Sequence, residues 1–200
     1  MFYFSNDTAF TQDQIDKIGN TIIYLAEKFS DLNKTKILKT LFLLEEAAIK
    51  KYGYPFFGID FQLWKHGPVA KDIFIDLSEP SPTLLAGFIA RDEKNLALFK
   101  PLKKFCDDEF SDNDIQILEH VSDFVQDKTA STLVKQTHGP NSLWRKSAIK
   151  NGVLELLENE LKNSTEINID FSLLFEHDKY LMERFEETKE NLEFSKQLKR

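Results

Sequence analysis

Cysteine is nearly absent from this 200-residue chain. Cys106 stands alone, so no internal disulfide framework can form and the expected compartment is a reducing cytosol. Histidine is scarce too. His66, His120, His138 and His177 include no pair four residues apart and no closely spaced Cys/His set, so neither a metal nor a cofactor is expected. Seven glycines scattered singly offer no loop to cradle a phosphate. No G-x-S-x-G is present, and Cys106 lies in a charged loop without a neighbouring histidine. The composition therefore reads as a protein that is not an enzyme.

Positive charge is also short: 26 Lys and Arg against 33 Asp and Glu, a formal net charge of −7. A dedicated nucleic-acid binder shows a concentrated basic footprint, and no direct nucleic-acid binding is expected here. No window approaches the ~18 apolar residues of a membrane span. The start, "MFYFSNDTAF", has neither a basic segment nor a long apolar one, so it does not read as a secretory signal. The expected location is the cytoplasm.

What the chain does have is phenylalanine, at 18 of 200 positions. That much aromatic surface must fill a core, line a groove, or both. It also has an acidic run: Asp107, Asp108, Glu109, Asp112, Asp114, Glu119, Asp123 and Asp127, with no Lys or Arg among them. Such a run is either a solvated helix face or a patch that meets a basic partner.

Periodicity and caps predict a mainly α protein: a compact helical domain with a small β-hairpin or sheet, plus a C-terminal helical extension. Thr11 and Gln14 read as a capping box opening a helix to about Phe29. A second helix runs from Lys34 to Lys51 and stops at Gly53. Alternation in "GIDFQLWK" predicts a strand, with Pro68 opening a short third helix through Leu77. Residues Asn95 to Lys100 are the expected second strand, pairing with the first. Ser111 and Asp114 read as a second capping box for a helix through Val125. Thr129 or Ser131 caps a short helix to Gln136, and two more short helices cover Asn141–Ile149 and Val153–Leu161. "KNSTE" reads as a linker, and Phe171 to Arg200 as a charged terminal helix. One domain over 1–162 and an extension over 163–200 is the expected division.

Two His-Gly-Pro junctions stand out, in "FQLWKHGPVAKDIF" and "VKQTHGPNSLWRKSA". On chemistry alone each is a turn: Gly67 supplies backbone freedom, Pro68 fixes a torsion, and Val69 packs inward. Trp64 points opposite Phe61 and Leu63, onto a sheet face that is either covered by a helix or open to a partner.

Taken in order, "KILKTLFLLEEAAIKKYGYPFFGIDFQLWKHGPVAKDIF", "FSDNDIQILEHV" and "TASTLVKQTHGPNSLWRKSA" resemble the Panacea domain over roughly residues 33–149. That domain occurs in bacterial and phage proteins that act as antitoxins beside unrelated toxins. The resemblance implies a noncatalytic protein that binds a cognate protein toxin directly, in toxin-antitoxin systems that include phage defence. An adaptor or chaperone-like role, delivering a partner to a protease, is the alternative it leaves. The residues it points to as partner-binding are Trp64, Lys65, His66, Pro68, Val69, His138 and Trp144, with Gly67, Ser111 and Asp114 as turn or cap. His66 stands where the family commonly has Tyr, which argues against an essential imidazole. A small hydrolase or nuclease built on His138, and a DNA-binding regulator, stay as other classes. Homo-oligomerisation stays open.

Overall fold

The structure, a computed structural model, describes residues 10–176 and 178–198. His177, the first nine residues and the last two of the expected terminal helix lie outside the described residues. Eight α-helices form among the described residues: α1 (Gln12–Lys28), α2 (Lys34–Tyr52), α3 (Lys71–Asp76), α4 (Asp112–Gln126), α5 (Ala130–Thr137), α6 (Leu143–Lys150), α7 (Leu154–Glu158) and α8 (Lys179–Leu198). Strands β1 (Gln62–Trp64) and β2 (Gly67–Val69) form one antiparallel pair, and β3 (Ile89–Arg91) with β4 (Phe99–Pro101) another. The chain is mainly α with two small sheets and a C-terminal helix, as its sequence predicts.

Both capping boxes form. The Thr11 hydroxyl accepts from the Gln14 amide while the Gln14 side chain accepts from the Thr11 amide. Ser111 and Asp114 make the same exchange at the start of α4. Each satisfies two of the donors a helix start leaves orphaned. Gly53 closes α2 with φ at 71°, the left-handed conformation that favours glycine.

Helix α2 is the centre of the molecule, packing against α1, α3, α4, α5, α8 and β2. Its apolar side chains Ile37, Leu38, Leu41, Phe42, Leu44, Ala48 and Ile49 are all buried. Each large one contributes about 1.5–3 kcal/mol relative to exposure. The helix also buries Lys36, Lys39, Thr40 and Glu45, and each buried polar group requires a partner.

The strand pairing differs from the expectation. β1 pairs with β2 across a two-residue turn, Lys65-His66, in the register Gln62↔Val69, Leu63↔Pro68, Trp64↔Gly67. Phe99 and Lys100 pair instead with β3, in the register Ala90↔Lys100, Arg91↔Phe99. Pro68 therefore lies inside a strand, and α3 begins at Lys71 after Ala70. The hairpin accommodates a proline there for a geometric reason. Trp64↔Gly67 closes the two-residue turn as the hydrogen-bonded pair, so Leu63↔Pro68 is a non-bonded pair where no amide is needed between the strands.

"KNSTE" is not a free linker. The Lys65 and Leu63 amides donate to the Asn163 and Ile167 carbonyls at 3.0 and 2.9 Å, and the Ile169 amide donates to the Phe61 carbonyl at 2.7 Å. The segment covers the free edge of β1, which an exposed strand otherwise offers to other chains. From there Ile169, Phe171 and Phe175 enter the same core as α2. The terminal helix also starts later than expected: Phe171–Leu174 form a 3-10 turn, and the Asp178 carboxylate accepts from the Leu181 amide at the opening of α8.

Candidate functional site

The two His-Gly-Pro segments, separated by about seventy residues of chain, meet at one place. The tip of the β1–β2 hairpin presents consecutive carbonyls toward the α5–α6 corner. The Trp144 indole Nε1 donates to the Trp64 carbonyl at 3.0 Å. The His138 Nε2 lies 2.8 Å from the Lys65 carbonyl oxygen and its Nδ1 lies 2.7 Å from that of Val134. A neutral imidazole donates through one nitrogen, an imidazolium through both. From α2, the Lys39 Nζ donates to the Pro68 carbonyl at 3.0 Å. Three side chains from α2, α5 and α6 thus hold three backbone carbonyls of one turn.

Local sequence explains how each arrives there. Thr129 caps α5 and Ser142 caps α6, which fixes the corner between them. His138 is the C-cap that follows α5, where orphan carbonyls await a donor. Six residues on, Trp144 lies in the first turn of α6, with the two rings 4.2 Å apart between centroids. Gly67 sits at the convergence with φ at 96°. A Cβ there would lie 2.7 Å from the Lys39 Nζ, 2.9 Å from the His138 Cε1 and 3.1 Å from the Thr137 Oγ1.

The interior of the corner is electrostatically unusual. Burial brings the Lys39 ammonium down to about 7, because water no longer solvates the charge. On the same helix Glu45 accepts from the Phe57 and Gly58 amides at 2.7 and 3.1 Å. Burial nonetheless pushes its carboxyl up to about 7.

Residues 37–145, more than half of the chain, match the family described as Antitoxin SocA-like, Panacea domain. The chain belongs to that family. No curated protein and no solved structure matches it. The matched span of the Panacea domain opens on α2 and closes at Arg145 in α6, so it encloses the hairpin and all three side chains that hold it. Helix α1 and the C-terminal extension lie outside the match. Antitoxins of this family act in general through a protein partner and without catalysis. No helix among the described residues is long and apolar enough to cross a membrane.

The sequence-derived site residues divide by exposure. Pro68, Val69 and Trp144 are buried, Trp144 to 1% exposure, so their side chains build the corner and present no surface to a partner. His138 is half-buried with both ring nitrogens directed at carbonyls. Trp64 is half-buried because α3 covers the open face of the hairpin: its ring meets Phe74 edge-on at 4.9 Å. Lys65 pairs with Glu160 at 2.9 Å. His66 is exposed at the hairpin tip, with its imidazole held below the ordinary value by partial desolvation and then by the cation of Lys65. Gly67 is not in the turn itself but opens β2 directly after it, while Ser111 with Asp114 is the cap, as read from sequence. Asp114 also pairs with Lys17 at 2.9 Å, and Asp123 with Lys28 at 2.5 Å, so the acidic run is partly neutralised from α1.

Sequence reasoning missed Lys39, which holds the Pro68 carbonyl. Lys36 and Lys39, three apart and inside the apolar register of α2, were the available signal. A lysine on a buried face requires a buried acceptor. Among the described residues no three His, Cys, Asp or Glu side chains are grouped as metal ligands.

The Trp144 bond is directly testable. Trp144→Phe keeps most of the packing but removes the indole's bond to the Trp64 carbonyl. Urea denaturation is expected to show a loss of about 1–2 kcal/mol. An unchanged midpoint would mean the bond contributes nothing to the fold.

Proposed function

We propose that this protein is the antitoxin of a bacterial or phage toxin-antitoxin pair and neutralises its cognate toxin by binding it directly in the cytoplasm. The family match over residues 37–145 carries the reading. The geometry around the hairpin supports it. Side chains that a hydrolase or nuclease would need free, His138 and Lys39, face backbone carbonyls. The exposed residues beside them are His66 at the hairpin tip and Pro140 with Asn141 at the second corner. A rigid corner carrying two exposed turns suits recognition of another protein, since a preorganised surface loses little entropy on binding.

In this reading the buried residues hold the corner, and the toxin contacts His66, Lys65 and the 139–141 turn. The extension from 163 on and helix α1, both outside the matched span, contribute to the choice of toxin. Co-expression with the protein encoded beside its own gene is expected to restore growth, and the two are expected to co-purify. Toxicity left untouched, with no co-purification, would count decisively against the proposal. His66→Ala is expected to leave the melting temperature unchanged while weakening the complex, because an exposed tip contributes to contact and not to the core. A lowered melting temperature with unaltered binding would make His66 structural.

A further inference from the structure

Beside the corner, α2 and the 136–142 turn enclose an open cleft of about 350 Å³. Its floor is apolar, from Phe42 and Leu43, and one carboxylate, Glu46, lines it. Glu46 has no hydrogen bond or ion pair among the described residues. Burial raises its carboxyl above the ordinary range, while Lys50, one turn along α2, pulls it back without pairing to it. A desolvated carboxylate without a counter-ion is an unfavourable arrangement that an incoming cation relieves.

A second feature favours positive charge. The cleft wall is the C-terminal end of α5, through Gln136, Thr137 and Gly139. The last turn of a helix carries the negative end of its dipole, and here its Val134 and Gln136 carbonyls already accept from His138 and Gly139, so the attraction for a cation is the dipole's and not a free carbonyl's. The start of α6 borders the same cleft with the opposite sign, but Ser142 already accepts from the Arg145 amide there. The apolar floor suits the methylene stem of a long basic side chain, and the carboxylate with the helix end suits its head group. Another cleft, about 320 Å³ beside Asp60 and Asp72, differs in having Lys71 in its own lining.

We propose that this cleft receives a lysine or arginine side chain of the bound protein partner, with Glu46 as its counter-ion. The proposal rests on the antitoxin reading for the identity of the partner and on the cleft alone for its chemistry. Two measurements on the full chain separate them. The first uses n-propylguanidinium as the probe, titrated into nitrogen-15-labelled protein. Saturable shifts of the 136–142 amides are expected in the wild type and are expected to vanish in Glu46→Gln. Absence of those shifts in the wild type would overturn the cleft proposal whatever the toxin does.

The second measures the dissociation constant for the protein encoded beside this chain's gene. Glu46→Gln is expected to weaken it at least tenfold, with steep weakening of wild-type binding by added salt. Its melting temperature is expected to equal or exceed that of the wild type, since an unpaired desolvated charge is removed. Equal affinity in variant and wild type would overturn the assigned occupant even if the probe binds. No binding by the wild type would remove the antitoxin reading, and with it the named partner.

Discussion

Gly67→Val is expected to be among the most damaging single substitutions in this protein, lowering stability by on the order of 3–4 kcal/mol. Two causes add. With φ at 96°, a β-branched residue is strained by roughly 1–3 kcal/mol. The new Cβ also meets the Lys39 Nζ and the His138 Cε1 at 2.7 and 2.9 Å, so at least one of them must leave the carbonyl it holds. A buried carbonyl without a donor costs about 1–3 kcal/mol. In a chain of this size the melting temperature is expected to fall by roughly 10 °C. The clash also predicts coupling. In a His138→Ala background the same substitution is expected to cost less, because the ring it displaces is already gone. Strict additivity in that double-mutant cycle would show that Gly67 and His138 are energetically independent and that the corner is not a single unit. An unchanged denaturation midpoint for Gly67→Val would show that Gly67 has no special backbone role.

Helix boundaries were readable because caps are local chemistry. Thr11 with Gln14, Ser111 with Asp114 and Gly53 each act within four residues of themselves, so the signal is complete in the sequence. The three-residue strands were not readable in the same way. Ile89–Arg91 and Phe99–Pro101 are too short for a period-two pattern, and their pairing is decided by which segments the helices bring together. Pro68 misled for a related reason. Its fixed torsion fits a first helical turn and an extended strand edge alike, and the hairpin register decided between them. The candidate site was half legible. The two motifs named the right segments, and Gly67 the right turn. That His138 and Trp144 face inward onto Trp64 and Lys65 follows only once α5 and α6 are packed against the hairpin. Exposure, which separates His66 from Trp144, is a tertiary property with no local signature in either motif.

Stability is expected to pass through a minimum near pH 7, the reverse of the usual dome. The cause is the two buried ionisable groups of α2. Glu45 has its carboxyl raised from 4.5 to about 7. The folded state therefore holds a proton more tightly than the unfolded chain. The stability this gives is fully present below about pH 4.5 and is lost as pH rises through 7. Lys39 has its ammonium lowered from 10.5 to about 7. Its contribution is fully present above about pH 10.5 and is lost as pH falls through 7. Between those limits one group weakens the fold on the acid side and the other strengthens it on the alkaline side. The acid limb is expected to span on the order of 3 kcal/mol and the alkaline limb on the order of 5, taking about 1.4 kcal/mol per pKa unit.

Glu46, also raised by burial, adds to the acid limb, while the exposed imidazole of His66, lowered, opposes it slightly near pH 6. Asp170, held below its usual value, acts only in stronger acid. Guanidinium denaturation at pH 5, 7 and 9 tests the shape. Glu45→Gln is expected to flatten the acid limb and Lys39→Met the alkaline one, whatever each does to absolute stability through the Phe57 and Gly58 amides or the Pro68 carbonyl. A wild-type curve that rises from pH 5 to 7, unaltered in slope by either substitution, would mean that both groups titrate in the folded protein as they do in water. The carbonyl-holding corner would then be hydrated at its centre, and the rigidity assigned to it would have no basis.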